Sequence, residues 1–157
     1  MSEHDSAALQ DQVLQRMHDW KATFEAMDVD GMMSFYADGD AFSAFDLMPP
    51  IEFRGGTMWR DNWVNFFGQW QAAPELEFAE LEVYASGDLS FVRLMCRLVG
   101  TMSGHPLDMW VRQTNCFRLI DGEWLMIHDH VSLPTDFATG QSLMALSPSA
   151  PFGLSAD

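Results

Sequence analysis

The sequence predicts an α+β domain in which helices pack on one face of an antiparallel sheet. Apolar side chains recur every three or four positions over residues 6–27, as on an amphipathic helix, and from residue 75 onward apolar and polar side chains alternate, as along strands. With 157 residues, the chain has the length of one ordinary domain. We therefore expect a single domain over residues 1–140, followed by a loosely ordered tail over residues 141–157.

Two further helices and one short strand are predicted between these two regions. A short second helix after "DVDG" holds Met32, Met33, Phe35 and Tyr36, and a strand is expected around residues 41–46. The paired glycines of "FRGGTMWRDNWVNFFGQW" precede a third helix. The predicted buried side of this helix is unusually aromatic and consists of Trp59, Trp63, Phe66, Phe67 and Trp70.

Two hairpins account for the alternating half of the chain. A two-residue turn at Gly87 and Asp88 places Glu82 opposite Arg93, and these opposite charges support that register. The second hairpin turns within "LIDGEW", where two registers are open.

In one register of the second hairpin, a two-residue turn pairs Ile120 with Glu123 and sets Gln113 opposite His130. In the other, a three-residue loop sets Arg112 opposite His130. The residues of the turn do not choose between the two.

The stretch "LMIHDHVSLP" places two imidazoles on one face of a strand. Side chains alternate along an extended chain, so His128, His130 and Ser132 project to the same side. The three-residue loop would add Arg112 and Thr114 to this face. Because imidazole titrates near neutral pH, such a face beneath an apolar cavity indicates proton transfer.

The composition is acidic and rich in large apolar side chains. Against 23 Asp and Glu there are 8 Lys and Arg, a formal net charge of -15, so nucleic acid and anionic membrane surfaces are not expected as partners. The chain has 12 Phe, 6 Trp and 12 Met, more than a minimal core needs, which predicts an apolar cavity or a subunit interface.

The cysteines indicate a protein of a reducing cellular compartment. Cys96 and Cys116 lie in apolar, strand-like runs without metal-binding spacing, which is typical of buried thiols. The first ten residues do not resemble a signal peptide, and no apolar run approaches the length needed to cross a membrane. We expect a soluble cytoplasmic protein.

Three parts of the sequence form a set: the tryptophan near the end of the first helix, "FYADGDAFSAFDLMPPIEFRGG", and the ending "RQT...DGEW....H.HVSLP". Together they resemble the SnoaL-like group of the nuclear transport factor 2-like superfamily, over most of residues 8–137. The resemblance implies a cone of three helices wrapped by a strongly curved antiparallel sheet, with a deep pocket open at one end. It also implies the three-residue loop, with the histidine face turned inward.

The superfamily includes ketosteroid isomerases, polyketide cyclases, dehydratases, epoxide hydrolases and non-catalytic association domains. Ketosteroid isomerases place a catalytic aspartate at the position of Phe45, whereas Asp46 here lies one residue later. The isomerase base and its tyrosine and aspartic acid oxyanion hole are therefore not carried over. Fold similarity in so diverse a group does not define the reaction.

The expected function is cofactor-independent proton transfer on a small, largely apolar carbonyl compound, of polyketide or steroid type among others, by an isomerase, lyase, cyclase, dehydratase or epoxide-opening enzyme. We predict His130 as general acid or base, Asp46 as its orienting carboxylate, Arg112 as stabiliser of a developing oxyanion and His128 as a second donor. The predicted substrate-binding residues are Tyr36, Trp59, Trp63, Trp110, Thr114 and Ser132.

Other interpretations remain open at this point. Arg112 and Asp46 could form a purely structural ion pair, and His128, His130 and Asp46 could chelate a metal, although no metal is expected. The competing function is a ligand-binding or association module without turnover. A homodimer is expected with either function. In the module, dimerisation through the outer sheet face would be the main role, with apolar area supplied by Phe78, Tyr84, Phe91, Met95 and Phe117.

Overall fold

The computed structural model describes residues 3–153 and has the predicted α+β architecture. Its helices pack on one face of a curved six-stranded sheet. The helices are α1 (Glu3–Glu25), α2 (Val29–Met33), a 3-10 turn (Gly39–Ala41) and α3 (Gly55–Gly68). The strands are β1 (Ser43–Phe45), β2 (Phe53–Arg54), β3 (Glu75–Ser86), β4 (Leu89–Met102), β5 (His105–Ile120), β6 (Glu123–Ser132), β7 (Thr135–Asp136) and β8 (Gln141–Ser142).

The main sheet has the strand order β2-β1-β6-β5-β4-β3. All of its neighbouring strands are antiparallel except β1 and β6, which are parallel. We call the face of the sheet that lies against α1 and α3 the inner face, and the opposite one the outer face. The long meander from β3 to β6 thus supplies a continuous inner wall, and short β1 extends it.

The core forms between the inner face and the predicted apolar sides of α1 and α3. On α1, Val13, Met17, Trp20 and Phe24 are buried at the predicted helical spacing. The aromatic side of α3 meets them, with the Trp63 ring edge-on to Phe24 at 5.7 Å between ring centroids. The predicted buried faces of α1 and α3 are confirmed, although α3 ends at Gly68, so that the buried Trp70 lies beyond it. The second helix likewise ends at Met33, before Phe35 and Tyr36.

The β3–β4 hairpin has the predicted register. Glu82 lies opposite Arg93, and a guanidinium nitrogen of Arg93 lies 2.9 Å from the Glu82 carboxylate. Tyr84 lies opposite Phe91, and their rings stack with centroids 4.7 Å apart. Cross-strand pairs of this kind stabilise a sheet and fix its register.

The β5–β6 hairpin begins with the two-residue turn, because Ile120 pairs with Glu123. Further along, the register shifts by one residue between Cys116 and Phe117 on β5. The shift leaves Ile127 on β6 as the extra residue of a β-bulge. The three-residue loop implied by the family resemblance is therefore wrong.

The bulge also changes which side chains face inward. His130 lies opposite Thr114, so the predictions that Gln113 or Arg112 would lie opposite it are both wrong. Before the bulge the even-numbered residues of β6 are buried, whereas after it the odd-numbered residues point inward. The histidines consequently lie on the outer face.

The neighbour of β6 changes at the bulge. Met126 exchanges backbone hydrogen bonds with Phe35 and Ala37, at 2.8 and 2.9 Å. From His128 onward, β6 pairs instead with β1, beginning at Ser43. The extra residue lets one strand pair with two segments that are separate in sequence.

The last described residues lie beside the outer face. Strands β7 and β8 pair with each other. A cleft with Arg97, Asp108 and Trp110 is formed by Met144, Ala145, Leu146, Ser147 and Ser149. Residues 154–157 of the predicted tail lie outside the described residues. The division into a domain over residues 1–140 and a loosely ordered tail stays a prediction.

Candidate functional site

A cavity lies between α1, α3 and the inner face of the sheet. Its volume is about 80 Å³. That is room for several water molecules or one compact organic molecule. The lining is mostly aromatic and aliphatic and consists of Trp20, Phe24, Asp46, Leu47, Trp59, Asn62, Trp63, Phe66, Leu76, Cys96, Leu98, Met109, Val111, Gln113, Asp129 and Val131.

Asp129 is the most deeply buried carboxyl group of the lining. Its residue is 1% exposed, and its Oδ1 accepts hydrogen bonds from Nδ2 of Asn115 at 2.9 Å and Nε2 of Gln113 at 3.3 Å. Burial and the charge of Asp46 raise the pKa of Asp129 to about 7, although hydrogen bonds from Gln113, Asn115 and the backbone N–H of His130 oppose the rise. The group therefore exchanges its proton near neutral pH.

Asp46 brings a second carboxyl group to the cavity. It follows β1 directly, so the strand that pairs with β6 also positions it beside Asp129. Its Oδ1 accepts from the backbone N–H of Leu47 at 2.7 Å, and its Oδ2 accepts from Nδ2 of Asn62 on α3 at 2.9 Å. Asp46 is half-buried, so its carboxylate is closer to water than that of Asp129.

The amides beside Asp129 extend into a buried polar network. The Cys96 thiol donates to Oε1 of Gln113 at 3.0 Å, which fixes the orientation of that amide. Burial, followed by the charge of Asp129, raises the pKa of Cys96 far above its usual range. The thiol thus stays protonated and serves as a hydrogen-bond donor.

Tyr36 lies behind the aromatic wall of the cavity. Its hydroxyl accepts a hydrogen bond from Nε1 of Trp20 at 3.0 Å. Burial and then the charge of Asp129 raise the Tyr36 pKa well above 10, although the indole groups of Trp20, Trp59 and Trp63 oppose this rise. Tyr36 is therefore a neutral phenol that supports the wall. It is not among the residues that line the cavity, and its contact with substrate stays a prediction.

Three of the predicted site residues line the cavity: Asp46, Trp59 and Trp63. Tyr36 lies behind the cavity wall, and the remaining predicted residues are on the outer face. The expectation of an inward histidine face is wrong because the bulge reverses the alternation of β6. The residues concerned are His128, His130, Arg112, Thr114, Ser132 and Trp110.

The outer-face residues make their own contacts. The Phe45 ring lies edge-on to both imidazoles, at 4.8 Å from His128 and 5.4 Å from His130. Ser43 Oγ lies 2.8 Å from Nδ1 of His128, whose pKa is lowered by partial burial and then by His130. On the outer face, Arg112 donates to Ser132 Oγ at 3.1 Å, whereas Asp46 lines the cavity on the inner side. The alternative interpretation of a structural Arg112–Asp46 ion pair is therefore wrong.

The proposed metal triad is not assembled, because Asp46 lines the cavity whereas His128 and His130 point away from it. Within residues 3–153, no group of three or more His, Cys, Asp or Glu side chains is placed to hold a metal ion.

Sequence reasoning missed Asp129, Gln113, Asn115 and Asn62. One signal was available on β5, where two amide residues interrupt the buried alternation between Val111 and Phe117. Buried amides need polar partners, so their presence predicts a polar group on the adjacent strand. Asp129 is that group.

Helices packed against a curved, mostly antiparallel sheet, with a cavity between α1, α3 and its inner face, define the α+β cone of the nuclear transport factor 2-like fold. The chain belongs to the SnoaL-like domain family, whose model matches residues 13–136. This confirms the resemblance drawn from the sequence. Members of this fold family commonly bind small molecules, and the fold is shared with ketosteroid isomerase-like proteins.

Solved structures share this fold. A nuclear transport factor 2-like protein of unknown function from Pseudomonas putida KT2440 has a TM-score of 0.83 and 29% identity, with 91% of this chain and 99% of that chain covered. A putative dehydratase from the same fold family of Streptomyces avermitilis has a TM-score of 0.68 and 15% identity, covering 78% and 93%.

A ketosteroid isomerase-like protein from Erwinia carotovora atroseptica SCRI1043 has a TM-score of 0.67 and 17% identity, covering 78% of this chain and 94% of that chain. At 15% and 17% identity, the last two likenesses show the fold alone. A search of curated proteins returned no match to the sequence. None of the helices within residues 3–153 is long and apolar enough to cross a membrane.

Proposed function

We propose that this protein is a small-molecule enzyme that transfers protons without a cofactor, and that Asp129 is its general acid or base. The observation that supports this most directly is a fully buried carboxyl group with a pKa of about 7 on the wall of an apolar cavity. A catalytic group transfers protons most effectively when its pKa lies near the working pH. Such groups cluster at functional sites.

In the proposed mechanism the two carboxyl groups have different roles. Asp129 in its ionised form removes a proton from a carbon next to a carbonyl group, and the electron pair of that C–H bond moves towards the carbonyl oxygen. Returning the proton to another carbon gives an isomer, whereas protonation of a departing hydroxyl group gives a dehydration. Asp46 keeps the Asp129 pKa high and, with Asn62, orients the substrate at the more open side.

The substrate class follows from the lining. Aromatic and aliphatic side chains suit a compact, largely apolar molecule, and the small volume favours a molecule smaller than a steroid.

The free thiols Cys96 and Cys116 are consistent with a reducing, cytoplasmic setting.

The test is a screen of small carbonyl compounds, epoxides and polyketide-like compounds, followed by kinetics of Asp129→Asn with the best substrate. We expect turnover to fall by roughly 10²–10⁴-fold, the usual contribution of general acid and base catalysis. Asp61→Asn, which changes an exposed carboxyl group on α3, is the matched control and should retain turnover. An Asp129→Asn enzyme with full turnover would refute the proposed role.

The second candidate is an association module without turnover, and the exposed aromatic rings of the outer face favour it. Phe45, Tyr84 and Phe91 are 42%, 47% and 44% exposed, whereas Phe78 and Phe117, which the sequence analysis placed on this face, pack inside. A homodimer would cover these rings. Light scattering of the protein and of Phe91→Ser tests this interface, since a dimer through this face should dissociate in the variant. A dimer that turns over no compound of the screen would favour the association module.

A further inference from the structure

The walls of the cavity combine negative charge with aromatic rings. From the cavity that the carboxyl groups of Asp46 and Asp129 and five aromatic rings enclose, we infer that the substrate carries an organic cation, a protonated amine or a quaternary ammonium group, in addition to its carbonyl group. This inference rests on the proposed function, because it assigns a substrate class to the same cavity. The rings are those of Trp20, Phe24, Trp59, Trp63 and Phe66.

Among the described residues, no positively charged side chain lines the cavity beside the carboxyl groups of Asp129 and Asp46. Asp46 approaches from the end of β1, and the other ionisable groups that sense Asp129 are neutral: Tyr36 after α2, Cys96 on β4 and Cys116 on β5. Within the described residues, no Lys, Arg or His lines the cavity. A buried carboxylate without a counter-charge is costly, so a bound cation would supply what the protein does not.

The aromatic wall suits the same ligand. The rings of Trp20 and Trp63 meet at 67°, and those of Phe24 and Trp63 meet at 83°. Neighbouring rings of the wall are therefore steeply inclined to each other, an arrangement that can present ring faces to a ligand. Ring faces attract organic cations electrostatically, most strongly for tryptophan.

Other ligand charges fit less well. An anion would meet two carboxyl groups without an opposing cation, and the net charge of -15 would repel it before entry. A neutral ligand would fill the apolar part and leave the ionised form of Asp129 without a counter-charge. The cavity therefore distinguishes a cation from its neutral isostere by charge, at equal shape.

The experiment compares such pairs directly. Choline and benzylamine are titrated against their neutral counterparts, 3,3-dimethylbutan-1-ol and benzyl alcohol, with tryptophan fluorescence and calorimetry as readouts. At about pH 8, where Asp129 is mostly ionised, we expect at least one cation to bind about tenfold or more tightly than its counterpart. The affinity should fall as Asp129 takes up its proton, towards about pH 6.

Variants locate the binding. Asp46→Asn and Asp129→Asn should each weaken cation binding by about tenfold and leave the neutral compounds unaffected, and the exposed control Asp61→Asn should change neither. Equal or tighter binding of the neutral compounds, or binding of none of the four at millimolar concentration, would overturn the inference. Neither of these two binding results concerns the turnover of Asp129→Asn, so the proposed function could still hold. Conversely, if the protein binds the cations but shows no turnover, the inference about the ligand stands and the proposed function fails.

Discussion

The side-chain amide of Asn115 donates a hydrogen bond of 2.9 Å to Oδ1 of Asp129, and both residues are almost inaccessible to water. The amide partly compensates the carboxyl group for its loss of hydration. It does not compensate fully, because the pKa of Asp129 remains at about 7. This balance makes the stability of the fold depend on pH.

Replacing Asp129 with Asn should remove a pH-dependent loss in the free energy of unfolding. The folded-state pKa of about 7 lies above the ordinary value of 3.8, so the folded protein holds the proton more tightly than the unfolded chain. The free energy of unfolding therefore falls as the pH rises between these values, by on the order of 4 kcal/mol from this group. Above about pH 7 the variant should be the more stable protein.

Urea unfolding of both proteins across this pH range measures the effect, and the difference between them isolates Asp129 from other titrating groups. The exposed variant Asp61→Asn should follow the wild type. A constant difference between Asp129→Asn and the wild type at all pH values would show that Asp129 titrates normally.

Asp46→Asn should shift the titration of Asp129 to lower pH. The charge of Asp46 is the second cause of the raised Asp129 pKa, after burial, and the substitution removes that charge while keeping a polar group of similar size. Carbon-13 NMR of the aspartate carboxyl groups measures the midpoint. Asp108→Asn, on the outer face, is the control that should leave it in place. An unchanged midpoint in Asp46→Asn would mean that the two carboxyl groups are not coupled.

Asn115→Ala should shift the same midpoint in the opposite direction. The substitution removes a donor that favours the ionised form, so the pKa of Asp129 should rise. It should also destabilise the fold by about 1–3 kcal/mol where Asp129 is ionised, and by less where it is protonated. Denaturant unfolding on both sides of the midpoint tests this, and an equal loss at both would point to packing alone.

His130→Gln should leave ligand binding and turnover within about twofold of the wild type, because the imidazole lies on the outer face, away from the cavity. This differs from the role that the sequence pattern predicted for His130. Kinetics beside Asp129→Asn provide the comparison. A loss of turnover in His130→Gln as large as in Asp129→Asn would restore the histidine as a catalytic residue.

Much of the fold could be predicted from local patterns. The spacing of Val13, Met17, Trp20 and Phe24 identifies a buried helix face, because a helix repeats every 3.6 residues wherever it packs. Opposite charges at Glu82 and Arg93 fixed the first hairpin. Asp46, Trp59 and Trp63 were correctly placed at the cavity, since each lies next to a well-defined element boundary or helix face.

The tertiary structure alone decided which residues of β6 face the cavity. Alternation along "HDH" is equally compatible with histidines inside or Asp129 inside, and one extra residue at Ile127 reverses the choice. That residue is accommodated because β6 pairs first with residues 35–37 and then with β1, and these segments come from a distant part of the chain. Local sequence encodes the alternation of side chains along a strand, whereas long-range pairing decides which of the two alternating sets faces the cavity.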